Sequence, residues 1–168
     1  VYGPEDLEGV KIRAIPAPVY VAAVEGMGAI AVPVDWADVP TALTTGVVEG
    51  QENPPITIYS AKLHELQDYI MDTKHIQSTG PIVINEGAFQ ALTEEQQDAI
   101  LTAAYETWEK FTQVGIEEEQ EYIQKMIDEV GMTFITEEDG LKVDEFKAGV
   151  DALVAETFPQ YADWYEKI

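Results

Sequence analysis

The first third of the chain alternates between strand-like and helix-like spacing of apolar residues. Pro4–Gly9 indicates a short helical turn, and apolar and charged residues alternate over Val10–Ile15 as they do in a strand. Helix-forming residues follow over Ala17–Gly28, with Gly28 placed as a helix C-cap, and Ala29–Val34 is a second strand-like run. A strand, a helix and a strand in so short a stretch predict a right-handed parallel crossover.

The middle of the chain gives shorter and weaker signals. Residues 35–46 indicate a loop and a short helix, for which Asp38 is the candidate N-cap. Two strand-like stretches come later, Tyr69–Ile76 and Pro81–Asn85, and the turn residues QSTG separate them. We therefore expect two more strands in this region.

Helical spacing dominates the last part of the chain. Thr93 and Gln96 form a capping-box pattern, and apolar residues then recur at helical spacing up to Val130, which a glycine follows. A helix of about 38 residues would be about 57 Å long, which exceeds a single small domain, so it is predicted to span two packing units. Met132–Ile135 is a short strand candidate, and Val143–Phe158 is predicted to form a final helix.

The stretch TTGVVEGQENPP, residues 44–55, combines two glycines, a cluster of polar side chains and two prolines. Gly46 and Gly50 can adopt positive φ at little steric cost, and Pro54 restricts Asn53 to extended or turn backbone. Such a bend aims polar side chains at a common point. Glu49 and Glu52 are expected at the surface or as braces of this loop.

The net charge excludes two classes of partner. The 168 residues carry 32 acidic and 9 basic side chains, a formal charge of -23, which disfavours binding to nucleic acid or to anionic lipid.

The chain has no cysteine, and its two histidines, His64 and His75, lie eleven positions apart, which is no metal-binding signature. No apolar run approaches the roughly 18 residues that a membrane span needs. We predict neither a metal nor a cofactor.

Arg13 is the only arginine among the basic residues, and it sits on a strand whose neighbours Ile12 and Ala14 look buried. A guanidinium pairs with a carboxylate through two parallel hydrogen bonds and loses its water more readily than an ammonium group. Residue type alone allows two interpretations. Arg13 is either a clamp for the carboxylate of a ligand or one partner of an internal salt bridge.

Four segments carry a resemblance to a known family: PEDLEGVKIRA, GAIAVPVDWADVPTALTTGVVEGQENP, KLHELQDYIMDTKH and INEGAFQALTEEQQDAI. Their order and spacing resemble the second half of the extracytoplasmic solute-binding proteins of tripartite ATP-independent periplasmic (TRAP) transporters, of the C4-dicarboxylate-binding type. The similarity covers nearly the whole chain and weakens after about Val130. It implies an α/β lobe like those of type II periplasmic binding proteins, a long helix shared between two lobes, and an N-terminal lobe that is largely missing.

The resemblance also implies roles for individual residues. Arg13 would form the main salt bridge to the ligand carboxylate, and Trp36 would pack against the ligand. Asn53 would hydrogen-bond to the carboxylate or to the surroundings of Arg13. His75 matches a family histidine near the end of its strand, although taken alone it would more often be a structural histidine.

Three further positions are marked by the same comparison. Gln77 and Ser78 fall where variable ligand-facing residues occur. Pro16 stands where other members often carry a polar contact residue, so the resemblance does not indicate which polar groups the ligand carries.

The implied organisation has three parts. Residues 1–92 would form the ligand-binding lobe, including strands that cross to the other lobe, residues 93–130 the interlobe helix, and residues 131–168 a terminal strand and helices. Family members are roughly twice as long, so we expect a truncated chain or a proteolytic remnant, without its signal peptide, that binds ligand weakly or not at all.

The implied function is that of a periplasmic receptor, not an enzyme. It would bind a small organic acid, close on it with the missing N-terminal lobe, and deliver it to TRAP membrane subunits. Two alternatives stay open: a non-transport sensor of the same fold, and an acid–base enzyme that uses Glu52 or Glu49 with His75. The sequence shows no nucleophile, metal triad or phosphate loop to favour the enzyme.

Overall fold

The computed structural model describes residues 1–77 and 80–161. The strands are β1 (Lys11–Ala14), β2 (Ile30–Pro33), β3 (Gly50–Gln51), β4 (Tyr69–Met71) and β5 (Thr133–Ile135). The helices are α1 (Pro18–Gly26), α2 (Val39–Thr44), α3 (Pro55–Ser60), α4 (Glu86–Gln90), α5 (Glu94–Val130) and α6 (Val143–Thr157). Single turns of 3-10 helix lie at Pro4–Leu7, Trp36–Asp38, Leu63–Leu66, Glu137–Asp139 and Pro159–Tyr161.

The first sheet contains three parallel strands in the order β2, β1, β3. The predicted parallel pairing of the first two strands around α1 is confirmed, and β1 lies in the centre of the sheet. Arg13 stands opposite Val32 on one side and Gln51 on the other. The central position explains why Ile12, Arg13 and Ala14 are all buried.

The second sheet pairs β4 with β5 in parallel, so it joins two segments that are far apart in the sequence. The strand predicted over Tyr69–Ile76 stops at Met71, and the strand predicted over Pro81–Asn85 is wrong. Ile82, Val83 and Ile84 are exposed, Val83 to 83%. A strand needs a hydrogen-bonded partner, and none of the described strands lies beside this run.

Two hydrophobic cores hold these elements together. The first packs β1, α1 and α6 around buried residues that include Ile12, Val24, Phe146 and Val150. The second packs α2, α3 and the end of α5 around Val39, Ile58, Leu63, Ile123, Met126 and Met132. Tyr59 of α3 adds a polar link, because its hydroxyl donates a hydrogen bond of 2.8 Å to Oε1 of Glu129.

The long helix predicted from the sequence is present as α5. Thr93 caps it through the expected reciprocal bonds with Gln96, and Gly131 ends it with φ of 70°. Only Ile123 and Met126 of α5 are buried. None of the helices in the described part of the chain is both long enough and apolar enough to cross a membrane.

The bend over residues 44–55 differs from the prediction at one glycine. Gly46 adopts positive φ, at 71°, as expected. Gly50 does not, and instead lies in β3, where a side chain would come within 2.8 Å of the Cδ1 atom of Ile12. Pro54 and Pro55 then begin α3 at its N-cap and first position. Asp38 is the N-cap of α2, as predicted, although its side chain accepts no capping hydrogen bond.

Helices α1 and α6 cross where two glycines meet. A Cβ atom on Gly149 would collide with the carbonyl oxygen of Gly26, and a Cβ atom on Gly26 would lie 2.7 Å from the Cα atom of Val150. The two backbones can approach this closely only without side chains, so this crossing fixes α6 against the sheet that carries Arg13.

We predict that Gly149→Ala destabilises the chain by about 1–3 kcal/mol, because the added methyl group overpacks the helix crossing. Urea unfolding measures the effect. Gly115→Ala is the matched control, since Gly115 lies in α5 with open space around it. Replacing that glycine should leave the stability unchanged or raise it by up to about 1 kcal/mol. Equal effects of the two substitutions would contradict the close crossing.

Candidate functional site

The side chain of Arg13 is buried and only partly paired. It is 2% exposed, and its Nε donates a hydrogen bond of 2.9 Å to the carbonyl oxygen of Val34. Its Nη1 is also buried and has no hydrogen-bond partner. Within residues 1–77 and 80–161, no carboxylate oxygen lies within 4.0 Å of the guanidinium. The internal salt bridge considered as an alternative is therefore absent from the described part of the chain.

Burial and neighbouring charges shift the pKa of Arg13 in opposite directions. Loss of water lowers the pKa of the guanidinium below its ordinary value, while the negative charges of Glu52 and Asp35 raise it. An arginine keeps its charge at any ordinary pH. The result is a buried positive charge with one N–H group turned to no acceptor.

Trp36 lies directly beside this charge. It opens the 3-10 turn after β2, and its ring centroid is 5.7 Å from the guanidinium carbon of Arg13. This distance is within the range of a cation–π contact. The indole is nevertheless 48% exposed, so the ring covers Arg13 on one side and meets solvent on another.

The bend after β3 brings amide groups to the same region. Gln51 stands opposite Arg13 in the sheet, and the Nδ2 of Asn53 donates a hydrogen bond of 2.6 Å to Oε1 of Gln51. Both residues are partly buried. The side chain of Asn53 is thus held by its own loop.

Glu52 is largely buried, which excludes the surface position, one of the two expected for it. Its side chain is 12% exposed, not at the surface, and its Oε1 is buried without a hydrogen-bond partner. Burial raises the pKa of Glu52 to about 7, although the charge of Arg13 opposes that shift. Glu49, by contrast, braces the loop as expected, because its Oε2 accepts a hydrogen bond of 3.0 Å from the backbone N–H of Lys11.

His75 faces Glu52 across a short gap. Its Nε2 lies 3.8 Å from Oε2 of Glu52, and its Nδ1 lies 2.7 Å from the hydroxyl of Thr73. Burial lowers the pKa of His75 to about 4, so the ring is neutral at pH 7. The Nε2 atom has no hydrogen-bond partner. Gln77 is exposed and Ser78 lies outside the described residues, so the structure does not bring Gln77 to this cluster.

A cavity of about 640 Å³ opens between the edges of β3 and β4. Gln51, Glu52 and Asn53 line it on one side, and Gln67 and His75 line it on the other. Arg13 and Trp36 are not among its lining residues, although Arg13 stands opposite the lining residue Gln51 in the sheet. Gln67, whose buried Oε1 is unpaired, gave no signal in the sequence.

The arrangement can bind an anion but shows little that could do chemistry. One buried cation has a free donor, and three further buried polar atoms have no partner: Oε1 of Glu52, Oε1 of Gln67 and Nε2 of His75. In the part of the chain that the structure describes, no group of three His, Cys, Asp or Glu residues could hold a metal ion. Buried unpaired polar atoms need an explanation, and a ligand or a further protein segment would supply their partners.

Comparisons with solved structures point to receptors for small acids. A TRAP periplasmic solute-binding protein from Pseudomonas putida F1, with bound D-glucuronate, matches with a TM-score of 0.86 at 26% identity, over 99% of this chain and 53% of that one. A TRAP periplasmic solute-binding protein from Roseobacter denitrificans, with bound L-galactonate, matches with a TM-score of 0.74 at 30% identity, over 93% of this chain and 50% of that one.

Comparisons of sequence agree. The 2,3-diketo-L-gulonate-binding periplasmic protein YiaO of Escherichia coli is 35% identical over 136 residues, which are 81% of this chain and 41% of the relative. The chain spans about half the length of the relatives it matches. The profile of the family described as bacterial extracellular solute-binding protein, family 7 (DctP), matches residues 1–160. The chain therefore belongs to the DctP family of TRAP solute-binding proteins and has its type II-like fold.

Proposed function

We propose that this chain is part of a periplasmic receptor that binds a small organic acid through a salt bridge between the ligand carboxylate and Arg13. The observation that carries the proposal is the buried Nη1 of Arg13, which has no hydrogen-bond partner, while no carboxylate oxygen of the described chain lies within 4.0 Å of the guanidinium. The family consists of solute receptors, and two of the similar structures hold the acids glucuronate and galactonate.

A carboxylate suits this position on energetic grounds. At about 4 Å and an effective dielectric constant of about 20, two unit charges attract by about 4 kcal/mol before the loss of water is counted. An unsatisfied buried donor costs roughly 1–3 kcal/mol, which a ligand carboxylate would remove. No other arginine in the chain offers the same planar pair of donors.

The charge state of Glu52 supports the same proposal. An ionised Glu52 would compete with a ligand for the positive charge of Arg13. Because burial raises the pKa of Glu52 to about 7, a large share of this carboxyl group is neutral near pH 7. Glu52 thus leaves much of the charge of Arg13 available to an incoming acid.

We assign the remaining site residues by the contacts that they make in the structure. Trp36 contacts the guanidinium already and would pack against the bound ligand. Asn53 would exchange its bond to Gln51 for a bond to the ligand carboxylate. His75 faces Glu52 and would act on the ligand through it, and Gln77 would reach the ligand only after a movement of its loop.

The other half of the receptor would supply the second wall of the site. The first half of α5 exposes the apolar side chains of Ile100, Leu101, Tyr105, Trp108 and Phe111. Leu101, Tyr105, Trp108 and Phe111 recur at spacings of four, three and three and so share one helix face. We propose that a second lobe packs on this face, which makes residues 93–130 the interlobe helix shared by that lobe and the ligand-binding lobe of residues 1–92, with residues 131–168 following as a strand and helices.

Capture would follow from closure of the two lobes. Only the closed state would satisfy the ligand and the unpaired atoms of Glu52, Gln67 and His75 from both sides, so a ligand would shift the balance towards it. The closed receptor would then deliver the acid to TRAP membrane subunits.

An enzyme remains the contrasting alternative, since Glu52 and His75 have shifted pKa values and lie 3.8 Å apart. Shifted pKa values also arise in purely structural clusters. The receptor role is favoured because the matching relatives are solute-binding proteins. Incubation with glucuronate or galactonate separates the two roles: a receptor binds the acid and returns it unchanged, whereas an enzyme consumes it.

Our first prediction concerns Arg13. In a receptor that contains both lobes, Arg13→Lys should weaken the binding of the acid by at least about 1.4 kcal/mol, or tenfold, because the paired donors are lost while the charge stays. Calorimetry with a panel of sugar acids and dicarboxylic acids measures the affinity. Lys11→Arg, on the exposed start of the same strand, is the matched control and should bind as the wild type does. Unchanged affinity in Arg13→Lys would remove Arg13 from the site.

The second prediction concerns the pH dependence of stability. The folded-state pKa of Glu52, about 7, lies above its ordinary value of 4.5, so its contribution to stability is complete below about pH 4.5 and is lost as the pH rises through 7. His75 acts oppositely, because its lowered pKa costs stability as the pH falls from 6.5 through about 4.

Glu52→Gln should therefore lose less stability than the wild type between about pH 5 and about pH 8, by at most roughly 3 kcal/mol. Urea unfolding at both values measures this difference. Glu49→Gln is the control for the removal of one acidic residue, since Glu49 is exposed. The same pH dependence in both variants would show that Glu52 is not buried as described.

The third prediction concerns the chain by itself. It should show less than about 1 °C of thermal shift at micromolar ligand, because stabilisation grows with the ratio of ligand concentration to Kd and the second wall is missing. A receptor with both lobes should shift by several degrees with the same ligand. A large shift for the chain alone would contradict the need for closure.

A further inference from the structure

The cavity between β3 and β4 separates two strands that each have one partner in the described chain. β3 pairs with β1 alone, and β4 pairs with β5 alone. Residues of both strands line the cavity, so the two strands border the same space. The open edge of a strand presents unpaired backbone N–H and C=O groups, and proteins usually pair or cover such edges.

The backbone of β4 shows which of its groups are left without a strand partner. Asp72 donates its backbone N–H to the carbonyl oxygen of Ile135 in β5, at 3.0 Å. Successive N–H groups of an extended strand point to opposite edges. The N–H groups of Tyr69 and Met71 therefore point away from β5, and both residues line the cavity.

Part of the cavity wall is apolar and comes from both hydrophobic cores. Ile12 and Phe146 of the first core line the cavity, and so do Ile58 and Met132 of the second core. Whatever fills this space thus lies between the two cores. An occupant with apolar groups on one side would bury these side chains further and join the cores.

The charges of the wall disfavour a small acid as this occupant. The volume of about 640 Å³ would hold a small ligand. However, Glu49, Glu52 and Asp68 line the cavity, and none of its lining residues in the described chain is a lysine or an arginine. A small acid would also leave most of the backbone groups along the two strand edges unpaired.

A further strand of protein meets each of these conditions. Both edges of an extended segment carry N–H and C=O groups, and its side chains alternate between two faces, of which one can be apolar. The relatives that the chain matches are about twice as long as it is, so a receptor with both lobes has further residues to supply. Val1 and Tyr2 line the cavity, so residues that precede Val1 in such a receptor would enter it directly.

We propose that the segment preceding Val1 in the receptor with both lobes lies in this cavity as a strand between β3 and β4. It joins the two sheets into one sheet of six strands, in the order β2, β1, β3, inserted strand, β4 and β5. Sheets of globular proteins have about five to six strands on average. This inference does not rest on the proposed function, because it requires no ligand.

Hydrogen exchange of the receptor with both lobes, followed by NMR in the absence of any ligand, tests the inserted strand. The backbone amides of Tyr69 and Met71 should exchange at least about a thousandfold more slowly than unpaired amides, because strands in the interior of a sheet open only at high free-energy cost. Asp72 is the matched control within the same strand. Its N–H is already bonded to β5, so it should be protected whatever fills the cavity.

Nuclear Overhauser effects identify the occupant. Backbone protons of Gln51 in β3 and of Met71 in β4 should both give signals to the same short run of residues, and that run should precede Val1. A mixture of isotope-labelled and unlabelled receptor shows whether these contacts lie within one molecule. We expect them to be intramolecular.

Four outcomes would overturn the inserted strand. The first is exchange of Tyr69 and Met71 at the rate of unpaired amides beside a protected Asp72. The second is protection that appears only after glucuronate or galactonate is added, which would make the cavity a ligand site. The third is a set of contacts between two copies of the receptor, and the fourth is an intramolecular contact to some other segment. Failure of both acids to bind, with the inserted strand in place, would count against the proposed function alone.

Discussion

The structure is organised around one buried positive charge that its own chain leaves incompletely paired. Arg13 occupies the middle of the central strand, where the neighbouring strands and the bend after β3 enclose it. Elsewhere in the described chain the cations of the ion pairs are lysines, which pair at the surface. An interior charge of this kind is costly unless a partner arrives, and an acidic chain with formal charge -23 repels anions everywhere else. The combination favours one docking point for a small acid.

The rest of the fold serves to fix that point. The parallel pairing of β1 with β2 and β3 determines where Arg13, Trp36 and Gln51 meet, and the glycine crossing of α1 and α6 holds the sheet from behind. The cavity between β3 and β4 lies next to Arg13 and is lined by polar atoms without partners. Burial favours the neutral forms of Glu52 and His75 in this interior, because it raises the pKa of Glu52 and lowers the pKa of His75.

Much of the fold could be predicted from the sequence, because its signals are local. The capping box at Thr93 and the glycine at 131 determine the ends of α5, and the alternation around Arg13 predicts β1. The run Pro81–Asn85 was wrongly predicted as a strand because pairing depends on a neighbour that spacing does not reveal. The surface position, one of the two that the sequence allows for Glu52, is wrong for a related reason: its burial depends on the meeting of β3 with the segment after β4, which are distant in sequence. The roles of Trp36, Asn53, His75 and Gln77 towards a ligand stay predictions, as does the division into three segments.

The central claim is that the free N–H of Arg13 receives the carboxylate of the ligand. Nitrogen-15 NMR of the arginine side chains, in a receptor with both lobes titrated with glucuronate and galactonate, tests it most directly. The account predicts that the Nη signals of Arg13, assigned by their loss in Arg13→Lys, shift in proportion to the fraction of receptor bound. An acid that binds to saturation while these signals stay in place would contradict it.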